Sequence, residues 1–111
     1  GVIRRGKCYF FHGFNTSKAA TAKTLEQIAS NCVFGHTHRA QSDVQRKVGS
    51  GVIGAWNPGC LCELQPLWQH TNPTTWTHGF GIQVQSSDGD FLHINIPIIG
   101  EQSLFASLVR L

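Results

Sequence analysis

The chain has 111 residues, and we expect residues 1–111 to form a single domain. An apolar content of 41% is enough for a buried core, so the composition excludes a disordered tail. A net charge of +3 is too small to indicate nucleic-acid binding by itself. No apolar run approaches the roughly 20 residues that a membrane helix needs, so we expect no membrane partner.

The first 40 residues have the pattern strand, helix, strand. Residues 7–11 are a short apolar and aromatic run, which predicts a buried strand. Between residues 18 and 30 the apolar positions fall on one helical face, and 32–34 is another short apolar run, which ends at Gly35. This order is that of a βαβ unit, so we expect an α/β fold.

The rest of the chain predicts mostly antiparallel strands. Alternating or apolar runs separated by turn signals predict strands at 43–48, 52–56, 80–86 and 91–99. The connections at 49–51 and 87–90 are of hairpin size. Prolines and threonines predict an irregular loop at 66–77, and the sequence leaves open whether 102–111 is a short helix or extended.

The four cysteines, at positions 8, 32, 60 and 62, do not form an evident disulfide framework. Because no secretory signal is visible, we favour reduced thiols in a cytoplasmic protein. The alternative is a zinc site that uses Cys60 and Cys62. One intervening residue is shorter than the usual spacing of zinc ligands, and the sequence has no second pair, which argues against this alternative.

Three of the six histidines directly follow predicted strands. His12 follows the first strand, and His36 and His38 follow the second, two residues apart. Ligand sites of open α/β sheets lie at the carboxyl ends of strands, and neighbouring strands are about 5 Å apart. We therefore expect the three imidazoles to converge on one metal ion or on a pair, and we assign no catalytic residue. The remaining histidines, at 70, 78 and 93, are expected to be ordinary surface or core residues.

Four stretches of the sequence carry a resemblance to a known family. Phe-His-Gly at 11–13 precedes the predicted helix, and Val-Phe-Gly-His-Thr-His-Arg at 33–39 follows it. These residues resemble the single-histidine motif and the terminal histidine motif of the calcineurin-like metallophosphoesterases. Residues 56–62 and 76–81 resemble the phage-encoded branch of that family, which is related to DNA repair nucleases and phosphodiesterases. The resemblance covers most of the chain, from about residue 7 to residue 100.

The resemblance implies a fold, an activity and a cofactor. The fold would be the C-terminal part of a four-layer α/β/β/α sandwich. The intact enzyme would use two divalent metal ions, Mn, Fe or Zn, to hydrolyse phosphate mono- or diesters, with nucleic acid as one candidate substrate. By position in the motifs, His12 and His36 would bind one metal ion and His38 the other.

The sequence departs from the family pattern ahead of His12. The family motifs that supply the aspartate ligands and the bridging aspartate precede this histidine, but only eleven residues do so here, and the first acidic residue is Glu26. Without a carboxylate bridge, two divalent ions would repel each other. We therefore expect the C-terminal portion of such an enzyme, inactive alone, whose partner is a missing N-terminal half.

Two alternatives to an enzyme portion remain open. The chain could be a folded module without catalysis that self-associates, or a single-metal protein in which the three histidines and a water complete the ligand set. Strand edges that a lost half would have covered predict a homo-oligomer, with residues 7–11 or 32–34 near the contact.

Overall fold

The computed structural model describes residues 1–49, 51–62, 64–65 and 74–100. These residues form seven strands and one α-helix. In chain order the elements are β1 (Val2–Arg5), β2 (Cys8–Phe11), α1 (Ala20–Ile28), β3 (Cys32–Phe34), β4 (Ala40–Lys47), β5 (Gly51–Pro58), β6 (Gly79–Gln85) and β7 (Phe91–Pro97).

A five-stranded sheet in the order β1-β2-β3-β5-β4 is the larger of two sheets. Strands β2, β3 and β5 are parallel, whereas the edge strands β1 and β4 are antiparallel to their neighbours. Phe11 pairs with Phe34 and Val33 pairs with Trp56, so the three parallel strands end almost level. Their carboxyl ends therefore lie together at one edge of the sheet.

Helix α1 covers part of this sheet and closes a small core. Leu25 is fully buried and belongs to a cluster with Phe34 and Ala55. The helix is shorter than the predicted span of 18–30, because Ala29 adopts the left-handed conformation (φ 55°) and donates its N–H to the carbonyl of Leu25 at 2.8 Å. This geometry is a common way for a helix to end.

Strands β6 and β7 form a separate two-stranded sheet with an unusual distribution of side chains. Its outward face is apolar and exposed, with Leu92 73% and Val84 63% accessible. The paired residues Ile82 and Ile94 share that face. Alternation along a strand places the polar residues of the hairpin on the opposite face, toward the five-stranded sheet.

Polar and aromatic contacts attach the inner face of the hairpin to the five-stranded sheet. The Asn95 amide donates to the carbonyls of Gln41 and Asn57, both at 3.1 Å. The His93 ring lies 5.0 Å from the Trp56 ring and 3.0 Å from the Asn95 side-chain oxygen. The two sheets are therefore joined through a partly polar layer.

The structure contradicts the predicted fold class. Strands account for 47% and helix for 10% of the described residues, so the structure is a small β-rich domain, not part of a four-layer α/β/β/α sandwich built on βαβ units. The described helix has nine residues, whereas such a sandwich needs helical layers on both outer sides. The prediction was wrong because it extended one amphipathic segment to the whole fold, while β4 to β7 contribute most of the strand residues.

Two further predictions lie partly or wholly outside the described residues. The segment 102–111, predicted as a short helix or an extended end, lies wholly outside them. The predicted irregular loop at 66–77 is described only at 74–77, which has no regular secondary structure. Among the described residues, no helix has the length and apolar content to cross a membrane.

The layer around His93 predicts a pH-dependent stability. Burial lowers the pKa of His93, and the Asn95 contact opposes this only in part. The unfolded chain therefore takes up this proton at a higher pH than the folded chain does. The contribution of His93 to the free energy of unfolding is complete above about pH 6.5 and is lost as the pH falls below that value.

Urea denaturation between pH 5 and pH 7.5 measures this effect. We expect the free energy of unfolding to fall on acidification and His93→Gln to flatten that fall. The exposed His12 provides a control, since His12→Gln should keep the His93 part of the slope. An unchanged slope in His93→Gln would contradict the assignment.

Candidate metal centre

The carboxyl ends of the three parallel strands bring together the candidate ligands. His12 directly follows β2, His36 and His38 follow β3, and Cys60 and Cys62 follow β5. Ligand sites of sheets with parallel strands are commonly found at this edge. All five side chains therefore come from the position in the fold where a functional site is expected.

His12 and His36 form a close pair. His12 Nε2 lies 2.9 Å from His36 Nδ1, and the two rings meet edge to face with centroids 4.9 Å apart. As a hydrogen bond, this contact needs one nitrogen protonated and the other free. Two nitrogen ligands on one tetrahedral zinc ion, each about 2.0–2.1 Å from the metal, are about 3.3 Å apart, so the pair can also bind one ion after a small movement.

The loop that carries His36 and His38 has an unusual backbone. His36 (φ 72°) and His38 (φ 57°) both adopt the left-handed conformation, which costs a non-glycine residue about 1–2 kcal/mol. Such conformations persist only where surrounding contacts hold them, and they cluster at functional sites. The Gly35 N–H donates to the His12 carbonyl at 2.8 Å and ties this loop to the end of β2.

Asn57 at the end of β5 holds the same loop from the other side. It is fully buried, and its amide donates to the Gly35 carbonyl and to the Thr37 hydroxyl, each at 2.7 Å. Its side-chain oxygen accepts the Gly59 N–H at 3.1 Å. One side chain thus fixes the histidine loop and the turn that leads to the two cysteines.

His38 lies beside two cysteines. Its Nδ1 is 3.8 Å from Cys62 Sγ, and the ligand atoms of His38, Cys60 and Cys62 all lie within 4.8 Å of one another. The Trp76 ring packs against His38 with centroids 4.3 Å apart. Burial raises the pKa of the Cys60 thiol, while Cys62 is exposed. We call His38, Cys60 and Cys62 the thiol site.

The structure therefore divides the three predicted histidine ligands into two groups. His12 and His36 contact each other, while the described ring contacts of His38 are with Cys62 and Trp76. Within the described part of the chain, the thiol site is the one group in which three possible metal-ligand atoms of His, Cys, Asp or Glu lie within 4.8 Å of one another. Metal binding by the three histidines stays a prediction.

A polar cleft lies next to His36. Its volume is about 320 Å³, and its walls include Thr37, Arg39 and Trp76. The Arg39 guanidinium donates to the carbonyls of Thr16 and Ser17 at 2.8 and 3.1 Å, which holds it in place. Arg39 thus gives a positively charged wall to a cleft that begins at the histidine pair.

Sequence reasoning missed Asn57 and did not predict that His38 lies beside the two cysteines. Asn57 stands before Pro58 and Gly59, which indicated only a turn. Cys60 and Cys62 were set aside because no second pair of ligands was near in sequence. One signal in the sequence points to the thiol site: Cys60 follows a strand end, as His12 and His36 do. This signal can be used only once β5 is known to be parallel to β3.

Comparisons with known proteins do not identify a family for this chain. No family model, curated protein or solved structure matches it. Membership of the calcineurin-like metallophosphoesterases, which residues 11–13 and 33–39 predict, therefore stays a prediction.

The role of Asn57 leads to a stability prediction. We expect Asn57→Ala to lower the free energy of unfolding by about 2–4 kcal/mol, because it removes the three hydrogen bonds that this buried side chain makes. Chemical denaturation measures this change. The control is Ser42→Ala on the exposed surface of β4, which should change stability by less than about 0.5 kcal/mol. Similar stabilities for the two variants would rule out the proposed role.

Proposed function

We propose that the chain is the C-terminal portion of a phosphoesterase that uses two divalent metal ions, Mn, Fe or Zn, to hydrolyse phosphate mono- or diesters. The observation that carries this proposal is the 2.9 Å contact between the His12 and His36 ring nitrogens at the ends of two parallel strands. Their sequence context, 11–13 and 33–39, is that of the resembled family.

The histidine pair fits a metal-binding role in chemistry as well as in distance. Both side chains are exposed, so an ion can reach them from solvent. Imidazole is a ligand that suits zinc and iron. The Gly35 and Asn57 contacts hold the loop that carries His36, so the two rings are already close before an ion arrives. When bound, such ions supply Lewis acidity and activate water.

The cleft beside His36 supports a phosphate ester as the substrate. Arg39 offers a guanidinium, whose donor geometry matches phosphate oxygens. The hydroxyls of Thr16 and Thr75 in the cleft wall are further donors. A phosphoryl group bound there would lie next to the histidine pair. Nucleic acid is the phosphodiester that the resemblance to repair nucleases favours.

Full activity requires carboxylates from elsewhere. Among the described residues, no carboxylate joins His12 and His36 in a group of three ligand atoms. Two divalent ions held by neutral imidazoles alone would repel each other. We infer that an N-terminal segment with the aspartate ligands is the partner of this chain. We also infer a cytoplasmic location, in keeping with four free cysteines.

Titration of the Cys60→Ser/Cys62→Ser variant with Zn²⁺, followed by NMR of the histidine rings, tests the metal pair without the thiol site. We expect the His12 and His36 ring signals to shift together, because one ion contacts both. His93 in the layer between the sheets is the internal control and should not shift. His36→Ala should remove the shift at His12. Equal shifts of all histidines would count against the site.

Hydrolysis of a chromogenic phosphodiester tests the need for a partner. With Mn²⁺, we expect the chain alone to stay at the background rate, for want of the carboxylate bridge. Turnover by the chain alone that His36→Ala abolishes would refute the need for a second segment.

A second candidate function is a self-associating module without catalysis. The apolar outward face of the β6–β7 hairpin favours it, because Leu92 and Val84 are more than 60% exposed. Large exposed apolar patches commonly mark contact surfaces. The predicted contact segments 7–11 and 32–34 contain β2 and β3, which are interior strands, whereas the edge strands of the five-stranded sheet are β1 and β4.

Light scattering over a range of concentrations tests this candidate. Self-association predicts a mass above the 12.2 kDa of one chain. We expect Leu92→Lys to shift the protein toward the monomer, because it places a charge in the apolar face. Val48→Lys, at a fully exposed turn position, is the matched control and should have no effect. A monomer at every concentration would exclude the module.

A further inference from the structure

We propose that His38, Cys60 and Cys62 form a zinc site. The proposal goes beyond the phosphoesterase function and does not depend on it. It rests on three side chains with zinc-binding atoms, delivered by two neighbouring parallel strands, whose ligand atoms lie within 4.8 Å of one another.

The distances fit one zinc ion. Zinc binds thiolate sulfur at about 2.3 Å and imidazole nitrogen at about 2.0–2.1 Å, so tetrahedral angles put a sulfur and a nitrogen ligand about 3.6 Å apart. The observed separation of His38 Nδ1 and Cys62 Sγ is 3.8 Å. Small side-chain rotations would therefore place these two atoms at two of the four ligand positions of a tetrahedral zinc ion.

Backbone hydrogen bonds align the segments that carry the ligands. Thr77 lies between them: its N–H donates to the His38 carbonyl at 2.8 Å, and its carbonyl accepts the Cys60 N–H at 2.9 Å. The Gly79 N–H then donates to the Cys60 carbonyl at 3.0 Å. Gly59 has φ 97°, and a Cβ there would lie 2.5 Å from the Thr77 carbonyl oxygen, so the close approach needs glycine.

The chemistry of the ligands selects the metal. Two thiolates and one imidazole suit zinc and do not suit Mg²⁺, Ca²⁺ or Mn²⁺, which prefer oxygen. Each cysteine releases its proton to solvent when its sulfur binds the ion, and the two negative charges then balance Zn²⁺. The histidine pair brings no such charge, so the two groups at this edge differ in the ions that they hold.

Three protein ligands leave the fourth zinc position to solvent. Among the described residues, His38, Cys60 and Cys62 are the group within reach, and Cys62 is exposed. Zinc sites with three protein ligands keep an open position for water or substrate, whereas closed structural sites use four. The ion would therefore lie at the surface, accessible to small ligands.

Cobalt substitution tests the proposal directly. Co²⁺ takes the same tetrahedral ligands as zinc and gives a near-ultraviolet charge-transfer band only when thiolate is bound. We expect one equivalent of Co²⁺ to produce this band in the reduced protein and one equivalent of Zn²⁺ to abolish it. No band in the folded, reduced protein would overturn the proposal.

Variants identify the ligands and separate this site from the histidine pair. Mutation of a residue that only supports a metal ligand lowers metal affinity by about 10–100-fold. We therefore expect Cys60→Ser, Cys62→Ser and His38→Ala, which each remove a ligand, to weaken zinc binding by more than about 100-fold. His12→Ala is the matched control and should keep both the band and the affinity. A band that persists in the Cys60→Ser/Cys62→Ser double variant would refute the assignment.

Alkylation of the unmodified protein gives a test that does not require a variant to fold. With mass spectrometry of the peptides, we expect zinc to protect Cys60 and Cys62 from iodoacetamide at least tenfold. Cys8 and Cys32 are the internal controls: both are buried, and burial raises the pKa of Cys32 to about 12, so they should react slowly with or without zinc. Equal labelling of Cys62 with and without zinc would overturn the site.

Discussion

The hydrogen bonds of one buried amide, that of Asn57, organise the edge of the sheet where the candidate ligands meet. The amide joins Gly35 and Thr37 of the histidine loop to the end of β5, and its oxygen accepts the N–H of Gly59. Asn57 is fully buried, so its own polar atoms depend on these groups for partners. The left-handed conformations of His36 and His38 occur in the loop that this side chain holds.

Two kinds of candidate metal ligand lie at the carboxyl ends of the three parallel strands. The strand β2 contributes His12, β3 contributes His36 and His38, and β5 contributes the cysteines. The neutral imidazole pair lies beside a polar cleft with Arg39 in its wall, which suits phosphate. The thiol site carries negative charge when it binds an ion, which suits zinc. The difference in ligand chemistry therefore favours two separate ions at this edge of the sheet, one at the imidazole pair and one at the thiol site.

The β6–β7 hairpin shows why the packing of the two sheets could not be deduced from local patterns. Alternating and apolar runs with turn signals between them predicted both hairpins, β4–β5 and β6–β7, close to their observed bounds. Alternation cannot say which face of a hairpin turns inward. Here Asn95 bonds to the carbonyls of Gln41 and Asn57, and His93 packs on Trp56, so the polar face is inside and the apolar one outside.

The sequence by itself determined six of the seven described strands, all except β1, together with the hairpin turns and the position of histidines after strand ends. These features depend on neighbours a few residues apart, which periodicity and turn chemistry record. Only the tertiary structure decided that His38 meets Cys62. The order strand, helix, strand predicted that His12 and His36 lie close together, whereas the contact of His38 with Cys62 depends on the parallel pairing of β3 with β5. That pairing is a choice among strand partners that no local pattern encodes.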